Sequence, residues 1–243
     1  MKALRCFVVL VGVASYPIVN AQTPGTSIGS EVDLSGVYIS VYVGAPDTVI
    51  LPEVYPFTAE AERAFNAFDP AVGDPRVGND CAPMRMPALL WSPDPVEIVQ
   101  EDTRIVMRFE QNDTIRSVPL DGPPAPANQP YTELGYSMAH WAGDVLTIET
   151  THTLGGVIVN DMGQPISRDA RLTERYWREP GEQDLRVEVL VDDARNYTEP
   201  VKFERVWVWS PDEQILPWQC FSLDPPEAED PDIDELARML EEL

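Results

Sequence analysis

Gly135-Tyr136-Ser137-Met138-Ala139-His140-Trp141-Ala142-Gly143-Asp144-Val145-Leu146-Thr147-Ile148-Glu149-Thr150-Thr151-His152 reads as a β-hairpin. Ala142-Gly143-Asp144 supplies the turn, and Trp141, Leu146 and Ile148 supply apolar side chains for a core. In a regular strand Leu146, Ile148, Thr150 and His152 point to one face, and Val145, Thr147, Glu149 and Thr151 to the other. The expectation is therefore that His152 faces a barrel interior or mouth and that Glu149 points away from it. A hairpin cannot bury its apolar face alone, so it predicts further strands on both sides.

The flanking sequence supplies them. Leu34 to Val43 alternates Val37, Ile39, Val41 and Val43 with Tyr38, Ser40 and Tyr42, the pattern of a half-buried strand. Short alternating or apolar runs follow at Val96 to Gln100, Arg104 to Phe109, Ile115 to Leu120, Gly156 to Val159, Ala170 to Trp177, Leu185 to Val191, Phe203 to Trp209 and Gln214 to Phe221. Many short strands separated by turn signals predict a mainly β protein, an antiparallel barrel or sandwich. Only Thr58 to Phe68 reads as an internal helix, capped by Thr58 and ended by Asp69-Pro70. Asp69 to Pro95 reads as a long loop, and Asp121 to Pro130 as a proline-laden crossing between strands.

The two ends of the chain carry different signals. Met1 to Ala21 has the form of an export signal: Lys2 and Arg5 begin it, Phe7 to Ala14 is its apolar centre, and Val19-Asn20-Ala21 is a cleavage site before Gln22. Residues 22–223 then form one β domain, and residues 224–243 an acidic tail in which Ile233, Leu236, Leu240 and Leu243 recur at helical spacing. The full chain has 17 basic and 41 acidic residues, a net charge of −24. Such a surface repels phosphate backbones and anionic headgroups, which argues against nucleic-acid and membrane-surface roles. No downstream run approaches the roughly 20 apolar residues of a spanning helix. Export places the protein in a periplasmic or extracellular compartment where disulfides persist, and Cys81 and Cys220 are the pair expected to form one.

No glycine-rich phosphate loop, HExxH or CxxC motif points to a cofactor or a resident metal. Both histidines, His140 and His152, lie in the hairpin, where they read as rim residues, as acid/base or ligand-orienting groups, or, with Glu149 and a bulge, as metal ligands. In Arg171-Leu172-Thr173-Glu174-Arg175-Tyr176-Trp177 the alternation puts Glu174 with Leu172 and Tyr176. If those two face inward, Glu174 is a buried carboxylate that needs a partner or a raised pKa. Arg171 and Arg175 share the opposite face, where they are solvated, paired, or available to an anionic ligand group. Phe203, Arg205, Trp207 and Trp209 line one face of a later strand.

The pattern Gly135-x-Ser137-x-x-x-Trp141-x-Gly143-Asp144-x-Leu146-x-Ile148-x-Thr150 resembles one shared by a large group of exported bacterial proteins of unknown function. The resemblance continues through Asp33 to Tyr38, Glu97 to Gln100, Leu120-Asp121-Gly122, Thr173 to Tyr176 and Cys220, but Tyr136 stands where many relatives have His, and His152-Thr153 departs from their common sequence. It implies a lipocalin-like β-barrel with a cavity. The leading expectation is a binder of a small apolar or aromatic organic molecule, with Tyr176, His152, Glu174, Trp207, Trp209 and Arg175 around the ligand. The alternative is a cofactor-independent isomerase, cyclase or lyase, in which His140 or His152 moves the proton, Glu174 partners it, and Tyr136 or Tyr176 stabilises an oxyanion. The acidic tail is a candidate surface for a protein partner.

Overall fold

The computed structural model describes residues 32–40, 49–69, 82–159 and 162–219. The segment expected to be an export signal, Cys81, Cys220 and the acidic tail lie outside the described residues.

The described residues form twelve strands: β1 (Gly36–Ser40), β2 (Val49–Ile50), β3 (Val96–Glu101), β4 (Arg104–Phe109), β5 (Thr114–Pro119), β6 (Tyr136–Ala142), β7 (Val145–Thr151), β8 (Gly156–Val157), β9 (Pro165–Ile166), β10 (Arg171–Trp177), β11 (Leu185–Asp192) and β12 (Val201–Trp209). Nine of them follow one another in a single sheet, β5-β4-β3-β1-β12-β11-β10-β7-β6, and β2 adds a short stretch to β12. Apart from the β12–β1 closure, each strand of this path neighbours its successor along the path's own chain order, as in an up-and-down barrel. Every pair is antiparallel, and nine is an odd number, so the two end strands β5 and β6 must run in the same direction. Their seam is parallel and thin: one bridge joins Leu120 to Ala139, and the Asp121 N–H donates to the Ala139 carbonyl at 2.7 Å. The proline-laden crossing from Asp121 carries the chain back along the barrel to make this possible. The result is a nearly closed barrel.

The alternation expected from sequence sets the inward face. Leu146, Ile148 and Thr150 of β7, Leu172, Glu174 and Tyr176 of β10, and Val201, Phe203, Arg205 and Trp207 of β12 are all buried. In β1 it is Tyr38 that faces inward, donating its hydroxyl to the Leu34 carbonyl at 2.8 Å. Burial raises the Tyr38 pKa, and the Arg178 guanidinium opposes that shift.

Helix α1 (Ala59–Asn66) begins where the sequence predicts: the Ala61 N–H donates to Thr58 Oγ1 at 3.3 Å, and Glu60 and Glu62 complement the helix N-terminus. Its Phe65 packs on Tyr55 and Phe57, whose rings meet Phe203 and Tyr197, so an aromatic cluster covers this end of the barrel.

Two expectations are corrected. The stretch from Asp69 to Pro95 is not simply a loop, because Ala88–Trp91 forms a 3-10 turn that places Met86, Leu89 and Leu90 in the core as a plug. The stretch expected as a strand from Gln214 forms no strand over its described part. Pro217 has no N–H for a ladder, and the Leu216 and Trp218 N–H groups donate instead to Glu110 and Asp113 at 2.9 and 3.0 Å.

Candidate functional site

Inside the barrel, Glu174 finds the partner that burial demands. Arg116 of β5 grips it with two parallel bonds, Nη1 to Oε2 and Nη2 to Oε1, both 2.7 Å. The same Nη2 lies 2.7 Å from Thr150 Oγ1 and 2.9 Å from Ser137 Oγ, and Tyr176 donates its hydroxyl to Glu174 at 2.6 Å. Burial opposes the Arg116 charge, but Glu174 outweighs it and holds the guanidinium above its ordinary pKa. Burial and the Glu174 charge together push the Tyr176 phenol well above its ordinary range. Arg116 is the residue sequence reasoning missed, and its contacts cross the thin seam from β5 to β6, β7 and β10.

A second guanidinium is buried as well. Arg205, 3% exposed, donates to the Leu90 carbonyl of the plug and lies over the rings of Trp91 and Trp207 at 5.3 and 5.9 Å. It has no carboxylate partner among the described residues, and burial lowers its pKa to about 10. Among the described residues the interior is a filled, partly ionic core. Glu174 and Tyr176 are 0% exposed and Trp207 2%, so next to no water-sized space touches them.

Among the described residues an open groove lies on the outside, at the rim where β6, β7 and β10 meet the long loops. A groove of about 440 Å³ is lined by Tyr131, Tyr136, Met138, Glu149, His152, Arg168 and Arg171, among others. It shares Tyr131, Arg168 and Asp169 with an adjoining depression of about 500 Å³ that reaches Glu60, Arg195 and Asn196 beside α1. Tyr131 is 43% exposed, with the His152 ring 5.2 Å from its centre and the Arg168 guanidinium 5.8 Å away.

His152 reaches this groove because the strand alternation stops one residue before it. Its φ of 60° is left-handed, which turns the side chain off the inward face that regular alternation predicts. Its Nδ1 is 2.9 Å from Thr151 Oγ1. The expected cavity set is thus dispersed. Glu174, Tyr176 and Trp207 are core residues, Arg175 pairs with Glu188 at 2.7 Å on the outer face, and Trp209 is partly exposed at the end of β12. Of the expected acid/base set, His152 and Tyr136 meet in the groove, where the Tyr136 hydroxyl donates to the Pro123 carbonyl at 2.8 Å. His140 is exposed on β6, opposite Thr147, and Glu174 is on the other side of the barrel wall. Among the described residues no three His, Cys, Asp or Glu side chains are placed to hold a metal ion.

Fold and site together define a nearly closed, mainly antiparallel β-barrel with an ionic core and an open rim groove. The chain matches no protein-family model and no curated protein. Among the described residues, no helix is long and apolar enough to cross a membrane.

Proposed function

We propose that this chain is an exported, lipocalin-like, small-molecule-binding barrel of the bacterial group that its hairpin motif resembles, and that its ligand sits in the rim groove. The ligand is an organic molecule with an apolar or aromatic part. The observation that carries the reading is the contrast between a filled interior and an open groove. Space next to Tyr176 and Trp207 is taken by protein, whereas the groove, at about 440 Å³, has the size of a small-molecule site and offers the exposed face of Tyr131 beside Met138 and Tyr136.

The neutral fluorophore N-phenyl-1-naphthylamine tests this, because its emission rises when it leaves water. The mature chain is expected to bind it saturably, and Tyr131→Ala to weaken binding about tenfold through the loss of a stacking face. No saturable binding, or binding indifferent to Tyr131→Ala, overturns the reading.

The enzyme reading keeps one supporting observation: His152 lines the groove with Nδ1 held by Thr151, which leaves its other ring nitrogen to meet a substrate proton. A binder is expected to keep its affinity for the fluorophore within about tenfold in His152→Gln, whereas an acid/base enzyme loses about 10² to 10⁴ in rate.

A further inference from the structure

We propose that the ligand of the rim groove carries a single anionic group, a carboxylate or a sulfonate-like oxyanion, and that Arg168 and Arg171 recognise it. This inference rests on the binding reading above. It starts from what arginines do elsewhere on the molecule. With 41 acidic residues against 17 basic ones, a surface guanidinium has carboxylates in excess around it. On the sheet faces the arginines take them: Arg104 with Glu101 at 2.7 Å, Arg108 with Glu97 at 3.0 Å, Arg175 with Glu188 at 2.7 Å and Arg186 with Glu182 at 3.3 Å. Arg168 and Arg171 depart from that pattern. Among the described residues neither has an ion pair or a side-chain hydrogen bond, although Glu149 and Asp169 line the same groove.

Geometry gives these two side chains a use. A guanidinium near the Tyr131 ring keeps its edge N–H groups available, and their fork matches the oxygens of a planar or trigonal oxyanion. A ring seated against Tyr131 and Met138 would carry its acidic substituent into a groove whose lining includes both Arg168 and Arg171. Glu149 and Asp169 balance the two cations, so the groove is close to neutral in a strongly acidic protein. One anionic group on the ligand is attracted by the arginines, and a second meets the carboxylates.

The test compares 1-anilinonaphthalene-8-sulfonate with N-phenyl-1-naphthylamine, the same aromatic skeleton with and without an anionic group. The sulfonate is expected to bind at least about tenfold more tightly at low salt, with the preference shrinking as salt is added. In the double variant Arg168→Gln/Arg171→Gln the ratio of the two affinities, in which any effect common to both probes cancels, is expected to fall below about twofold. Both arginines are exposed, so equal melting temperatures for variant and parent are expected and exclude probe binding to a loosened core. Equal affinities for the two probes in the parent protein, or a preference that survives in the double variant, overturn the anion assignment. If the neutral probe binds in a Tyr131-dependent way without any sulfonate preference, only this inference fails. If neither probe binds, the groove reading fails with it.

Discussion

Arg116 and Arg205 are both buried guanidiniums, and they differ in what their loss leaves behind. Removing Arg116 strands the Glu174 carboxylate in a core with no water-sized gap beside it, so Arg116→Met is expected to destabilise the protein by about 3–5 kcal/mol. Removing Arg205 strands only the Leu90 carbonyl and two indole faces, so Arg205→Met is expected to cost less than about 2 kcal/mol. Urea denaturation of the two variants measures the contrast. The pH dependence has a definite sign. Burial pulls the Arg205 pKa down to about 10, below its ordinary value, so between those two values the unfolded chain binds more protons than the folded one. Its unfavourable contribution is fully present below pH 10 and fades above it, and the parent is expected to gain stability relative to Arg205→Met as pH rises from 9 to 11 (about 1 kcal/mol or less over that range). At this scale the sequence was legible for Glu174, because alternation with Leu172 and Tyr176 demands an inward carboxylate with a partner. It was not legible for Arg116. In Thr114–Pro119 the apolar Ile115 is 60% exposed while Arg116 points inward, the reverse of what hydrophobicity suggests.

Elements were legible wherever period-two alternation met clear turn residues. Within the hairpin motif, Gly143 turns the chain between the paired residues Ala142 and Val145 at a φ of 62°, and Gly135 leads into β6 at a φ of 69°. The two glycines are not equivalent. A Cβ at Gly143 meets nothing within 4 Å, whereas one at Gly135 comes 2.4 Å from the Thr151 carbonyl oxygen. Gly143→Ala is expected to cost about 1 kcal/mol of backbone strain, and Gly135→Ala clearly more, with the two melting temperatures giving the comparison. Ser137 and Thr150 of the same motif serve the core, since both contact Arg116. The plug was hidden because Ala88–Trp91 is one short turn of mostly apolar residues, too brief for any helical period to register. His152 was misplaced for a related reason. A strand pattern extends smoothly through it, and only the left-handed backbone ends the alternation.

For the whole molecule, sequence could indicate an antiparallel barrel but not its closure, which depends on the number of strands that join. Nine along the barrel path leave a parallel seam with few backbone bonds, and the Arg116 side chain adds bonds across it to β6, β7 and β10. With the interior committed to that ionic network, the proposed ligand is left the rim, which is the central claim of the functional proposal. Backbone amide shifts of the isotopically labelled protein, recorded while N-phenyl-1-naphthylamine is added, test it most directly. The account predicts perturbations gathered at Tyr131, Tyr136, Met138, Thr151, His152 and Thr173, with the amides of Tyr176, Phe203 and Trp207 unmoved. Perturbations centred on Tyr176, Phe203 and Trp207 would contradict it and return the ligand to the barrel interior.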